Sequence, residues 1–170
     1  MNPHDESPFE DLAETVEATR AATKSPALAS RLSRLGAAII DALIGCAIGF
    51  PIMFATGFFQ RAMQQKTSLV ETLLMTVIGI AIYLVVHGYL LASRGQTIGK
   101  VVAGARIVDY NSGEILPLAR LIGLRLIPVT IISSIPLVGG LLALIDTLFI
   151  FGSEQRCVHD LIAGTKVVQA

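Results

Sequence analysis

The sequence predicts an all-α integral membrane protein: a helical bundle of four membrane segments with a small cytoplasmic cap that contains β-structure. Three observations indicate this class. Of the 170 residues, 53% are hydrophobic and only 15% are charged, whereas soluble domains carry about a quarter charged residues. Two apolar runs are long enough for a helix to cross a bilayer. A third long apolar stretch is interrupted by proline and glycine.

Residues 1–28 precede these runs and are rich in Asp and Glu, with prolines at Pro3, Pro8 and Pro26. Such a segment buries too little apolar surface to fold alone, so we predict a flexible, acidic, cytoplasmic arm. The arm lacks the basic start and early apolar core of a cleaved signal peptide. The first membrane helix is therefore expected to act as an uncleaved signal, and residues 29–168 are expected to form one membrane domain.

The first membrane helix is predicted at about residues 33–59, with Ser30 or Ser33 as its N-cap. Gly45 and Gly49 have the spacing of a GxxxG motif, which lets another helix approach closely. Pro51 is expected to bend or loosen the outer third of this helix. The second membrane helix is predicted at about residues 69–92.

Asp41 is the one charged residue in the apolar run of residues 37–59. A carboxylate at the membrane centre costs on the order of 3 kcal/mol, so Asp41 should face protein or water. Arg34 lies seven residues earlier on the same helix face, at about 10 Å along the axis. Two interpretations stay open: Arg34 pairs with Asp41 across that gap, or it reaches lipid phosphates at the helix end.

Residues 93–117 change character and predict a small structured segment outside the lipid. Two strands are expected here and in the tail, at residues 106–109 and 165–168, and we predict that they pair. Gly95 and Gly99 are expected to supply unusual backbone angles, and Asp160 to cap a helix or pair with Arg94 or Lys100. The predicted cap motif comprises Gly95, Gln96, Thr97, Gly99, Lys100, His159, Asp160, Gly164 and Thr165.

The third apolar stretch, residues 118–151, is interpreted as a hairpin with arms at about residues 118–132 and 141–151. Basic residues before helix one, after helix two and in the tail place these parts on the cytoplasmic side, which requires an even number of crossings. Both termini are then expected to be cytoplasmic, and the membrane is expected to be the inner membrane of a bacterium. Because each arm is shorter than a comfortable span, tilting, bilayer thinning or a re-entrant geometry is expected.

Three motifs occur in a characteristic order: RLGAAIID at residues 34–41, GQTIGK at 95–100 and RCVHDLIAGTKVV at 156–168. Together they resemble the RDD family of small membrane proteins, named for one arginine and two aspartates. The resemblance places the arginine at Arg34, the first aspartate at Asp41 and the second at Asp160, with Asp146 as a further intramembrane acid. It implies a membrane role; members have been proposed as transporters, some similar to cation/proton antiporters, and others look like assembly partners.

Asp41 and Asp146 are the candidate ion-binding or proton-carrying groups, because a desolvated carboxylate can exchange a proton for a monovalent cation. Arg34 or Arg125 could fill such a site when it is empty. The alternative is that the two acids only hold helices together in a scaffold or accessory subunit. At this length, transport would need a homo-oligomer, and a scaffold would need a membrane partner.

Several classes of function have no support in the sequence. The formal net charge of zero gives no support to nucleic-acid binding. The GQTIGK loop does not match a phosphate-binding loop, since no Ser or Thr follows Lys100. Neither a nucleophile set nor a Cys/His spacing typical of a metal site is present, so we predict no enzyme activity, no metal and no cofactor.

Overall fold

In a computed structural model of the protein, the described residues are 26–133, 139–152 and 155–170. The predicted arm falls outside them except for its last three residues. Most of the predicted break in the third apolar stretch, residues 134–138, also lies outside.

Two long helices dominate the fold. Helix α1 spans Arg31–Ala55 and helix α3 spans Leu69–Arg94, and both are long and apolar enough to cross a membrane. Ser30 is the N-cap of α1, since its hydroxyl accepts a hydrogen bond from the Ser33 N–H at 3.1 Å. Pro51 lies within α1, which nevertheless continues for four more residues.

The predicted end of the first helix at residue 59 is wrong, because the chain turns at Gly57. Gly57 has φ +67°, a left-handed conformation that ends a helix, and a short helix α2, Phe58–Met63, follows. Helix α3 begins with a capping box between Ser68 and Glu71 and ends at Gly95, which has φ +64°. The predicted unusual backbone angle at Gly95 is thus confirmed.

The third apolar stretch forms two helical arms, as the sequence predicts. The first contains α5, Leu118–Leu121, a π-helical turn, Ile122–Leu126, and α6, Ile127–Ser133. The second contains α7, Gly139–Leu148, and a 3₁₀ turn, Phe149–Phe151. At about 1.5 Å per residue the first arm is about 24 Å long, less than the thickness of a hydrocarbon core.

Two short helices and two strands form what we call the cap: α4, Ile98–Val102; β1, Ala105–Asp109; α8, Val158–Ala163; and β2, Thr165–Gln169. The strands pair antiparallel with Ile107 opposite Val167, which confirms the predicted pairing. Leu28 forms a single bridge to Val168. Ile107 and Val167 belong to a buried cluster with residues from α3 and α5, which joins the cap to the helices.

The two halves of the cap repeat one another at a distance of 60 residues. Thr97 and Cys157 each precede a short helix, and Gly104 and Gly164 each have a φ close to +63°, at +62° and +64°. The directly opposed pair, Ile107 and Val167, is also 60 residues apart. The β-ladder is therefore symmetric about this pair, and each half of the cap consists of a short helix followed by a strand.

Candidate functional site

Asp41 faces the first turn of α4. Its Oδ2 accepts a hydrogen bond from the Thr97 hydroxyl at 2.5 Å, and its Oδ1 accepts one from the Gly99 N–H at 2.8 Å. The first N–H groups of a helix have no partner within that helix and carry a partial positive charge. The carboxylate therefore seats the cap on α1.

Gly99, the second glycine of the GQTIGK loop, lies too close to α1 for any side chain to fit. A Cβ at Gly99 would lie 2.2 Å from the Ala37 carbonyl oxygen and 2.8 Å from the Asp41 Oδ1. Gly99 has an ordinary helical backbone, so the expectation of an unusual angle there is wrong. Gln96 ties the same loop to β1, because its Nε2 donates to the Ala105 carbonyl at 2.8 Å.

His87 approaches Asp41 from α3. Its Nδ1 accepts a hydrogen bond from the Ile98 N–H at 3.3 Å, and its Nε2 lies 4.0 Å from the Asp41 Oδ1. A ring nitrogen that accepts carries no proton, so the neutral ring has its proton on Nε2, on the side of Asp41. His87 is not among the site residues predicted from the sequence.

Arg34 does not pair with Asp41, which is one of the two partners that the sequence left open. Its Nε donates to the Ala29 carbonyl at 3.2 Å, its Nη2 to the Val167 carbonyl at 2.5 Å, and its Nη1 to the Gln155 carbonyl. The predicted pairing with Asp41 is wrong because the buried guanidinium is turned toward these backbone carbonyls. Arg34 therefore joins the start of α1 to β2.

The predicted capping role of Asp160 is confirmed, because its carboxylate accepts a hydrogen bond from the Cys157 N–H at 3.3 Å at the start of α8. Its ion pair is with Arg125, and the expected pairing with Arg94 or Lys100 is wrong. Its carboxylate is 1% exposed and accepts hydrogen bonds from Arg125 and from the Thr165 hydroxyl, the latter at 2.9 Å. Burial alone would raise the pKa of Asp160. The charges of Arg125 and His159 and the hydrogen bonds from Thr165 and the Cys157 N–H outweigh burial, and they hold this pKa below its ordinary value.

Asp146 binds the second half of the cap in the same way that Asp41 binds the first, by accepting a hydrogen bond from a backbone N–H. Its Oδ1 accepts from the His159 N–H at 2.9 Å, and its Oδ2 lies 2.6 Å from the His159 Nδ1. Gly99 and His159 occupy equivalent positions of the repeat. Asp41 on α1 thus binds the second residue of α4, and Asp146 on α7 binds the second residue of α8.

Lys100 and Asp160 are also equivalent, but their charges are opposite. Lys100 lies in the field of Asp41, and Asp160 is bound by Arg125. Burial, with a smaller contribution from Arg125, lowers the pKa of Lys100 to about 8. The two halves of the cap therefore differ at this position in both charge and environment.

A cavity of about 270 Å³ lies between α1, the first arm and the cap. Its ionisable lining consists of Asp41, Tyr83, Lys100, Arg125 and His159, and its other walls are largely apolar. The structure thus brings two of the predicted cap residues together with Asp41. It leaves Arg34 and Asp146 outside this cavity's lining.

Residues that sequence reasoning underrated include His87, Arg125 and Cys157. A comparison of the sequence with itself would have drawn attention to the segment that follows Cys157, since IGKVVAGARIV at residues 98–108 aligns with VHDLIAGTKVV at residues 158–168. Burial, together with Asp160 and Asp146, raises the pKa of Cys157 to about 12.

Fold and site together define a small, mostly helical membrane protein whose β-containing cap is held by carboxylates from the helices. The chain belongs to the RDD family, since the model of that family matches residues 28–164. An uncharacterized protein of Haemophilus influenzae is 26% identical over 95 residues, which cover 55% of this chain and 57% of that relative. The matched region thus spans little more than half of the relative. No solved structure matches the chain.

Proposed function

We propose that the protein moves a small polar solute, or exchanges a monovalent cation for protons, through the cavity beside Asp41. The observation that carries this proposal is the lining of the cavity, where Asp41, Lys100, Arg125 and His159 face one space. Its volume of about 270 Å³ suits a solute of a few heavy atoms or a hydrated ion. Because burial lowers the pKa of Lys100 to about 8, this side chain can change charge at mildly alkaline pH.

The proposal includes four membrane segments, with both termini cytoplasmic in a bacterial inner membrane. Helices α1 and α3 would form one hairpin, and residues 118–133 with α7 the other. The repeat supports this topology, because each pair of helices leads directly into an equivalent half of the cap. Each pair then enters and leaves the membrane on the cap side, where basic residues are concentrated.

Transport can be tested with purified protein in liposomes, by following internal pH and solute uptake after a pulse of Na⁺, Li⁺ or K⁺. Asp41→Asn should reduce flux at least about tenfold, because the neutral amide removes the charge from the cavity. Glu114→Gln, a loss of one exposed carboxylate from the cap region, is the matched control. Absence of flux in the wild type would refute transport, and equal flux in both variants would remove Asp41 from the path.

A second function, a membrane scaffold or accessory subunit, is favoured by a different observation. Both oxygens of Asp41 and of Asp146 already accept hydrogen bonds or contact a histidine. The acids are thus suited to holding the cap in place. Around Gly45 and Gly49 the described residues leave space, since an added Cβ would meet nothing within 4 Å.

A scaffold would bind a second copy or another membrane protein along the open face of α1. Gly45→Leu and Gly49→Leu should then dissociate the complex, as measured by native mass spectrometry, while Gly36→Leu should not. An unchanged complex in the first two variants would refute this use of α1. Neither proposal includes a catalytic step or a cofactor.

A further inference from the structure

Three potential metal ligands converge where α7 meets α8. Asp146 lies on α7, Cys157 directly precedes α8, and His159 lies in its first turn. One ligand atom of each lies within 4.8 Å of the others, and all three residues are partly buried. Asp146 comes from a different helix than Cys157 and His159, so spacing in the sequence does not reveal the cluster.

The Asp146 carboxylate is already oriented so that it and His159 could bind the same metal ion. The His159 N–H holds the Asp146 Oδ1 at 2.9 Å, which turns Oδ2 toward the His159 Nδ1 at 2.6 Å. Two ligands at about 2.0–2.3 Å from a tetrahedral metal lie roughly 3.3–3.7 Å apart. A small opening of the Asp146–His159 pair and a small approach of the thiol would therefore give coordination distances.

We propose that Asp146, Cys157 and His159 bind one divalent transition-metal ion of the Zn²⁺ type, with water completing the coordination. A thiolate and an imidazole select such an ion over Mg²⁺ or Ca²⁺, which prefer oxygen ligands alone. As the Sγ–metal bond forms, the Cys157 thiol releases its proton to water and His159 binds as the neutral ring. Asp146 and the thiolate then balance the charge of the ion.

The charges around the site are compatible with a cation. The Asp160 Oδ1 lies 3.8 Å from the His159 Nε2. Arg125 lies on the facing helical arm and is paired with Asp160. Arg34 directs its donors to backbone carbonyls. Bound metal would link α7 to the second half of the cap.

The test uses full-length protein in detergent, titrated with Co²⁺ and Zn²⁺. We expect one equivalent per chain, with a thiolate-to-Co²⁺ charge-transfer band in the near ultraviolet. Cys157→Ser should abolish the band and weaken Zn²⁺ binding at least about tenfold, the loss that even an outer-shell partner can cause. Cys46→Ser is the matched control, because Cys46 is exposed on α1. An unchanged band in Cys157→Ser, or no binding by the wild type, would overturn the proposal.

A second measurement does not depend on the folding of a Cys157 variant. In the Cys46→Ser protein, Cys157 is the remaining cysteine, and its reaction rate with a maleimide can be followed with and without Zn²⁺. Binding should slow the reaction at least about tenfold, and Asp146→Asn should reduce this protection. An equal rate with and without Zn²⁺ would overturn the proposal.

Discussion

Arg125→Ala should destabilise the protein far more than Arg120→Ala, although each removes one arginine. Arg125 is 15% exposed and binds Asp160, which is 1% exposed. Its loss leaves a buried carboxylate without its counterion, at a cost of about 3–5 kcal/mol. Arg120 is 45% exposed, and its pair with Asp109, at 3.1 Å, should contribute about 0–1 kcal/mol.

The free energy of unfolding can be measured for both variants and the wild type in the same mixed micelles, by titration with a denaturing detergent. The difference between Arg125→Ala and the wild type should also shrink in acid. Since the folded pKa of Asp160 is depressed, the pair's contribution is present above the ordinary carboxyl pKa and is lost as pH falls through the folded value. Equal destabilisation by the two variants at neutral pH would refute the reasoning.

Three further predictions concern the cap. Gly99→Ala should cost about 1–3 kcal/mol in unfolding free energy because its Cβ would overlap the Ala37 carbonyl, whereas Gly36→Ala, which meets nothing, should be neutral or stabilising by up to about 1 kcal/mol. Arg34→Lys should lower the melting temperature, because one ammonium does not reproduce the planar fork that reaches separate carbonyls; a melting temperature equal to the wild type would contradict this. Between pH 8 and 10.5, Lys100 binds more protons in the unfolded protein than in the folded one. The melting temperature of the wild type should therefore rise with pH relative to that of Lys100→Gln. The same dependence of melting temperature on pH in both proteins would contradict this.

The helices and the strand pairing could be predicted because they follow from local patterns of apolar and turn residues. The end of the first helix could not be predicted, because the left-handed turn at Gly57 is a single residue within an apolar run. The existence of a cap was predictable as well, since its motif residues cluster in two short segments.

The partners of the charged residues could not be predicted in the same way. Helical periodicity offers Asp41 a partner on its own helix, and Arg34 was the obvious choice. The actual partners of Asp41 are the Thr97 hydroxyl and the Gly99 N–H, which lie more than 50 positions away in the sequence. Arg34 likewise binds carbonyl groups, which every residue has and which no side-chain pattern reveals.

The symmetric ladder about Ile107 and Val167 gives the chain the geometry of a homodimer fused into one polypeptide. The two halves are nevertheless not interchangeable, because equivalent positions carry opposite charges, Lys100 in the first half and Asp160 in the second. Asp160 has its own counterion in Arg125. The backbone thus keeps a duplicated plan, while the side chains make its two halves chemically distinct.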